Sequence, residues 1–406
     1  MKIKNPFFQQ LFSSFGPGLI TAALVLGPGT ITVCSNAGAL TGYSMLWVIV
    51  VSSLFMICMT RVAAKMGCVS PVSLLTNIEN NYGRIVAILV GFSVCFSCSG
   101  FQTGNTIGLG ISLNELFGGS LALWTVIFLI VTLIFIWTSS NFYSLLEKTM
   151  IFLVMIMIVA FVGNLFFIDI DGGSLFKGLI PSIPSPSNKA LWIAVASTSF
   201  SVAGAAGQAY MVQGKKWKAE DLKKGLRDAT FGILILSALG AIIIITSAAI
   251  MHPKGLTIKN AVDMALQLEP FLGSFGKWLF LIGLFATSFS SYVSNAALGG
   301  MFLCEALHLG KSINDRWVKV FASGILVLGT IIAIIFGSNP IQLIVFAQSM
   351  TIFGAPIVAV AILFLSNNKK VVGDYRNSHI LNIVLTIATA WAIFISVNQL
   401  IALIQN

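Results

Sequence analysis

The residues most able to do chemistry in this 406-residue chain interrupt an apolar segment at Gly27-Pro28-Gly29-Thr30. Gly and Pro destabilise a helix interior, and in a bilayer the freed N–H and C=O groups are tolerated where they line a cavity or contact a ligand. No Asp, Glu, His, Lys or Arg occurs between Lys4 and Arg61. We therefore predict a substrate site at Gly27 and Thr30 that carries no formal charge.

A second interruption lies in the middle of a later apolar segment, at residues 201–208, where small residues surround Gly204 and Gly207. Weakened helices at corresponding positions of two halves are typical of inverted-repeat transporters, whose substrate binds between the breaks. The alternative is that glycine-containing helices simply pack closely against their neighbours. The pair of breaks favours a transporter.

Neutral amides are the polar groups that the apolar segments place at mid-depth. Serine and threonine usually bond within their own helix, whereas buried Gln and Asn are costlier and carry more weight. None of the 13 acidic residues and none of the three histidines lies at the centre of a predicted span. Hard divalent cations are normally bound by carboxylates, so we predict no such metal site and no proton carrier at mid-depth. The amides in question are Gln102, Asn105, Gln208, Asn295 and Gln348.

The composition requires these residues to be positioned by a membrane-embedded bundle. Hydrophobic residues make up 57% of the chain and charged residues only 9%, against about 25% charged in soluble domains. The fold class predicted is an all-α polytopic membrane protein. Eleven segments are long enough to cross a bilayer. They are residues 19–40, 45–65, 84–117, 121–137, 148–167, 191–212, 229–251, 278–303, 317–336, 341–365 and 380–404.

The distribution of Lys and Arg predicts the orientation. With the N-terminus in the cytoplasm, all but five of the 23 Lys and Arg residues fall in cytoplasmic loops, as the positive-inside rule expects. The net charge of +10 then reflects topology and not nucleic-acid binding. No cleavable signal is recognisable. A multi-pass protein of a cell membrane follows, with the bacterial inner membrane favoured and the oligomeric state left open.

The order of the segments predicts two repeats without soluble domains. Residues 1–15 form a cytoplasmic N-terminus, 16–167 the first five-helix repeat and 168–189 an irregular extracytoplasmic loop. Residues 190–366 form the second five-helix repeat, and 367–406 a loop and an eleventh transmembrane helix. No nucleotide-binding or hydrolase motif occurs, so we expect no enzyme and no cofactor. The predicted partners are the lipid bilayer and a transported small solute or ion.

The motifs at these positions resemble the Nramp family of divalent-metal transporters, which implies a LeuT-type 5+5 inverted repeat followed by an eleventh helix. The resemblance extends over almost the whole chain. It rests on Gly16-Pro17-Gly18, Gly27-Pro28-Gly29-Thr30, Ala37-Gly38, Gly42-Tyr43, Leu46-Trp47, Ile107-Gly108, Leu113-Asn114, Leu116-Phe117-Gly118, Leu146-Glu147-Lys148, Gly178-Leu179-Ile180-Pro181, Ser290-Ser291, Glu305 and Gln348.

The departures from that family pattern fall at the positions that carry its chemistry. By the resemblance, Gly27 and Thr30 stand where the family has its metal-binding Asp and Asn, and Ala205 replaces a methionine ligand. The family's carbonyl ligand falls at Val202, and its span-three acids align with Gln102 and Asn105. Gln348 remains as a side-chain ligand candidate, and no metal-binding residue is assigned.

The sequence therefore predicts a secondary transporter of Nramp type with altered substrate and coupling, since the family role is proton-coupled divalent metal transport. One alternative is a carrier of a small neutral or zwitterionic solute or a hydrated cation. Another keeps divalent metal transport through carbonyls, Thr30 and Gln348 without protons, and a third is a non-transporting binding protein. The predicted substrate-binding residues are Gly27, Thr30, Val202, Ala205, Gln208 and Gln348, and the predicted polar pathway is Gln102, Asn105 and Asn295.

Overall fold

Glycine and proline divide the chain into helices wherever they interrupt an apolar run. A computed structural model describes residues 16–138 and 142–405, so the predicted N-terminal segment 1–15 lies outside the described residues. No strand occurs in the described ranges. The helices are α1 Pro17–Val25, α2 Pro28–Thr41, α3 Leu46–Val69, α4 Leu74–Tyr82, α5 Arg84–Phe117, α6 Leu121–Thr138, α7 Phe142–Asn164, α8 Gly172–Gly178, α9 Lys189–Ser199, α10 Val202–Gly214, α11 Leu222–Ile250, α12 Ala261–Ala265, α13 Glu269–Leu272, α14 Phe275–Ala306, α15 Arg316–Phe336, α16 Pro340–Met350, α17 Ala355–Leu365, α18 Lys369–Val372 and α19 His379–Gln405.

The apolar helices account for the predicted membrane spans closely. Within the described ranges, nine helical segments are long and apolar enough to cross a membrane, and the bent pair α1–α2 makes a tenth. The remaining predicted span, 148–167, falls on α7, of which residues 154–164 form a shorter apolar helix. The all-α polytopic fold is confirmed, while the count of eleven spans stays a prediction.

Helix α5 packs closely against its neighbours along a face that carries three glycines. Gly100, Gly104 and Gly108 recur every four residues and so share a face. A Cβ at Gly100 would stand 2.8 Å from the Thr351 side chain, and one at Gly104 would stand 2.8 Å from Gln348 Nε2. The third glycine faces the ring of Pro28. This face therefore allows close approach of the first broken helix and of the α16–α17 span.

The predicted irregular loop 168–189 contains more regular structure than expected. Asp171 caps α8 by accepting a hydrogen bond from the Gly173 N–H at 3.0 Å. The Ser174 hydroxyl, together with the backbone N–H groups of Ser174 and Gly173, lowers the pKa of Asp171. The cap is therefore charged at neutral pH, and it satisfies one of the free N–H groups at the start of α8.

Candidate functional site

The first break separates two helices that are bent by 59° relative to one another. Helix α1 ends at Val25, and α2 begins at Pro28 after an extended Gly27 with φ −109° and ψ −179°. Proline suits the first position of a helix because it has no N–H and its φ is already helical. The sequence therefore sets both the end of one half-helix and the start of the next.

Side chains of α14 satisfy the carbonyl groups that this break releases. The Ser291 hydroxyl lies 3.0 Å from the Ala23 carbonyl and 3.1 Å from the Leu26 carbonyl. Asn295 Nδ2 donates to the Leu24 carbonyl at 3.1 Å. The predicted pathway residue Asn295 thus contacts the break itself, and α14 holds the end of α1 in place.

Ser291→Ala is expected to lower the free energy of unfolding by about 1–3 kcal/mol, because carbonyls in the broken helix lose their donor. Thermal unfolding in detergent measures the effect. Ser288→Ala is the matched control, since Ser288 lies on the same helix and donates only to the Leu284 carbonyl of its own helix, at 2.5 Å. Equal shifts for the two variants would contradict the assignment.

The second break was predicted at residues 201–208, but the helix is interrupted earlier, at Phe200 and Ser201. Gly204 and Gly207 lie inside the continuous helix α10, where the missing side chains allow close packing.

Hydroxyl groups join this second break to the first. The Thr30 and Thr198 hydroxyls are 2.7 Å apart, and Thr30 also donates to the Val25 carbonyl at 3.2 Å. A Cβ on Gly204 would stand 2.7 Å from the Val25 side chain, so α10 packs directly on the end of α1. The predicted residue Thr30 therefore connects the two interrupted spans.

A small cavity marks the second break, between α9 and α10. Its lining includes Ser197, Ser201, Val202 and, from the facing helices, Ser97 and Thr351. The centre of a water-sized sphere can explore about 10 Å³, which corresponds to a single water molecule. Little free space therefore remains at this point, and the predicted residue Val202 lines it.

Two amides, Asn105 on α5 and Gln348 on α16, lie next to the first break. A Cβ on Gly27 would stand 2.7 Å from Asn105 Oδ1, and Gln348 fills the space beside Gly29 and Gly104. Both amides are at least 98% buried. Asn105 Nδ2 and Gln348 Oε1 have no hydrogen-bond partner among the described residues. Because orphaned buried amide atoms are costly, these two groups are suited to a bound polar molecule.

The other two predicted amides lie away from this point. Both amide atoms of Gln102 are buried without a partner in the described ranges, and its Cγ lies 3.0 Å from where a Cβ on Gly329 of α15 would stand. Gln208 contacts the Thr21 hydroxyl, and Thr21 lies about 6 Å along α1 before its last residue, Val25. The structure therefore brings Asn105 and Gln348 together with the break, and separates Gln102 and Gln208 from it.

Comparison with known proteins establishes the family. Residues 18–402 match the family model described as natural resistance-associated macrophage protein-like. The chain belongs to the Nramp family. A divalent metal cation transporter MntH of Klebsiella pneumoniae is 25% identical over 374 residues, covering 89% of this chain and 87% of the relative. MntH of Listeria welshimeri is 24% identical over 406 residues, covering 96% and 89%.

Solved structures show the same fold. The Eremococcus coleocola manganese transporter, crystallised with an aromatic bis-isothiourea compound, gives a TM-score of 0.73 at 18% identity and covers 99% of this chain and 88% of its own. Mhp1, a nucleobase-cation-symport-1 transporter in a closed conformation, gives 0.60 at 14% identity and covers 96% and 90%. The LeuT-type architecture implied by the Nramp resemblance is confirmed.

This Nramp chain has no carboxylate or thioether at either break. Neither Gly27 nor Ala205 has a side-chain atom that could bind a metal ion, and Ala205 is fully buried in α10. Across the described ranges, no group of three or more His, Cys, Asp or Glu side chains is placed to hold a metal ion. The donors available at the first break are amides, hydroxyls and backbone carbonyls, which bind neutral polar groups and weakly hold cations.

A polar cluster near one end of the bundle was missed by the sequence analysis. Glu305, at the end of α14, accepts hydrogen bonds from Ser73, from the Thr76 hydroxyl at 3.0 Å and from the Tyr210 hydroxyl at 2.8 Å. Lys311 lies 3.9 Å from the carboxylate. The signal available was an acidic residue inside an apolar helix end, but its three partners come from two distant segments.

Proposed function

We propose that this Nramp protein is a secondary transporter that works by alternating access around the two breaks, with a substrate and a coupling that differ from the family role. The substrate is a small neutral or zwitterionic solute, or a cation that keeps part of its water. Its site comprises Gly27, Thr30, Asn105 and Gln348, with Val202 and Ala205 on the facing half-helix. The N-terminus lies in the cytoplasm, and the membrane is a bacterial inner membrane.

The observation that carries the proposal is the pair of unpartnered amides beside an uncharged break. Asn105 Nδ2 is a donor and Gln348 Oε1 is an acceptor, so together they match a ligand that both accepts and donates hydrogen bonds. A dehydrated Mn²⁺ ion would meet no carboxylate there to offset its lost hydration. Ser291 and Asn295 of α14 already donate hydrogen bonds to the carbonyls freed by the break.

Transport by this protein is also not coupled to proton movement in this proposal. By the resemblance to the Nramp family, Gln102 and Asn105 align with its span-three acids, and an amide does not titrate in the physiological range. Helix α15, which faces Gln102, has charged side chains only in its first turn, at Arg316 and Lys319. A proton relay through these helices therefore lacks a carrier among the residues aligned with the family pathway.

Divalent metal transport is the second candidate, because the curated relatives are named as divalent metal transporters. In that case backbone carbonyls, Thr30 and the free Gln348 Oε1 would supply a weak oxygen-only site without proton coupling. A non-transporting binding protein is the third. All three reuse the same breaks, so the choice between them is made by flux.

Proteoliposomes loaded with a Mn²⁺-quenched dye and a pH dye provide the test. We expect no saturable Mn²⁺ entry above protein-free vesicles, and no acidification linked to Mn²⁺. Counterflow of radiolabelled neutral and zwitterionic solutes should in contrast identify a substrate, and Gln348→Ala should reduce that exchange roughly tenfold if one hydrogen bond near 1.4 kcal/mol is lost.

The control for that assay is Gln399→Ala, which removes a buried glutamine of α19 that bonds Ser349 at 3.0 Å. It tests whether any buried glutamine would give the same loss. Saturable Mn²⁺ uptake would overturn the leading proposal in favour of the second candidate, and no flux of any kind would support a binding protein.

A further inference from the structure

An apolar groove opens on the outer surface of the bundle between the start of α5 and the second half of the α16–α17 span. It is lined only by apolar atoms, with Val86 on one wall and Ile357, Val360 and Phe364 on the other. Its volume is about 450 Å³. Ile357 and Phe364 are 39% and 60% exposed, so no segment of the described chain covers the groove.

Three cations lie in the chain segments that border one end of this groove. Arg84 follows Tyr82, which contributes to the groove, at the start of α5. Asn368 Nδ2 donates to Asn81 Oδ1 at 2.8 Å, and this bond ties the start of α18 to the end of α4. Helix α18 begins with Lys369 and Lys370, both exposed. The chain thus places three positive charges beside the end of an apolar groove.

In the bordering segments 79–84 and 369–376, four cationic residues outnumber two acidic ones. Glu79 on α4 is bonded to His308 at 2.7 Å, and Asp374 beyond α18 lies close in sequence to Arg376. The end of the bundle that carries these residues is the lysine-rich end that the positive-inside rule assigns to the cytoplasm. Basic residues at this level attract anionic headgroups, and basic pockets between helices on this side bind lipid phosphates.

We propose that this groove is a binding site for one anionic phospholipid, whose acyl chain lies along Val86, Val360 and Phe364 and whose phosphate contacts Arg84, Lys369 and Lys370. A phospholipid is the occupant that matches both the apolar groove and the adjoining cations. An apolar groove at hydrocarbon depth takes an acyl chain, and the adjoining cations select the headgroup. The inference is independent of which substrate the protein carries.

The test is native mass spectrometry of the detergent-purified protein with phosphatidylglycerol and phosphatidylcholine of identical acyl chains. We expect the parent protein to retain one phosphatidylglycerol in preference to phosphatidylcholine. The triple variant R84Q/K369Q/K370Q should lose that preference by at least about fivefold, since each cation near an anionic lipid contributes measurably. The triple variant K177Q/K254Q/K277Q removes equal charge at exposed sites elsewhere and should retain the preference.

A second variant separates the groove from the charges. Val360→Trp should fill the groove and lower retention of both lipids, whereas Ile387→Trp on the exposed face of α19 should not. Equal preference in the two triple variants would overturn the proposal, and so would unchanged lipid retention in Val360→Trp. Size-exclusion chromatography identifies a variant that fails to fold, and the substitutions Arg84→Lys, Lys369→Arg and Lys370→Arg should then preserve the preference in a folded protein.

Discussion

The double variant Gly27→Asp with Ala205→Met is expected to bind Mn²⁺ measurably, whereas the parent protein is expected not to. By the resemblance, other Nramp proteins carry a carboxylate and a thioether at these two positions. This chain keeps the family's fold around them. An added carboxylate supplies the hard oxygen that the site lacks. We expect at least a roughly 100-fold gain in affinity, which corresponds to about 2.7 kcal/mol. Isothermal titration calorimetry measures it.

An aspartate at position 27 requires the neighbouring Asn105 side chain to move. Gly27 has an extended backbone that any residue can adopt, but a Cβ there would stand 2.7 Å from Asn105 Oδ1. Rotation of the Asn105 amide would turn its unpartnered Nδ2 toward the new carboxylate, and this hydrogen bond favours the charged form. The double variant should therefore fold, and Asn105→Ala on top of it should alter the affinity.

The matched control is Gly27→Asn with Ala205→Met, which has the same volume without the charge. It is expected to bind Mn²⁺ no better than the parent. Heat of binding in the control equal to that of the Asp variant would show that charge is not the missing element. No binding in either would indicate that the two positions do not face a common site.

Glu305→Ala is expected to lower the free energy of unfolding by about 3 kcal/mol or more, because each buried donor that loses its acceptor costs about 1–3 kcal/mol. Glu305 is only 3% exposed and accepts from Ser73, Thr76 and Tyr210. Tyr210 lies on α10, the half-helix that follows the second break. Loss of the carboxylate should also weaken the connection between α4 and α10, because Glu305 accepts hydrogen bonds from both.

Hydrogen exchange together with thermal unfolding checks both parts of that expectation. Amides of α4 and α10 should exchange faster in Glu305→Ala, whereas α16 should be unaffected. Glu79→Ala is the control, because Glu79 pairs with the half-exposed His308 and surface pairs contribute little. If Glu79→Ala loosens α10 as much, then Glu305 has no special role in tying these helices.

Much of the fold followed from the sequence because the bilayer restricts the choices. A segment of about 20 apolar residues must be helical in lipid, and the segments 84–117, 317–336 and 380–404 agree with α5, α15 and α19. The boundaries were less certain at the lysine-rich end, where α11 begins at Leu222 and not at 229. Residues outside the hydrocarbon can extend a helix without leaving an apolar signal.

The candidate site was predicted unevenly. Gly27-Pro28-Gly29 located the first break because Pro and Gly end helices by local sterics alone. Asn105 and Gln348 were singled out as buried amides, and the structure brings both to that break. Gln102 and Gln208 had the same chemical type but face α15 and α1. Only the rotation of each helix in the bundle decides which side of it faces the break.

What the sequence determined by itself was therefore the membrane class, the position of the first break and the absence of charge there, because these depend on residue type along one chain. The tertiary structure decided which groups meet: Ser291 and Asn295 with the freed carbonyls, Thr30 with Thr198, and Glu305 with Ser73 and Tyr210. All of these pairs are separated by more than 90 positions, so helix packing brings them together and no local pattern encodes them.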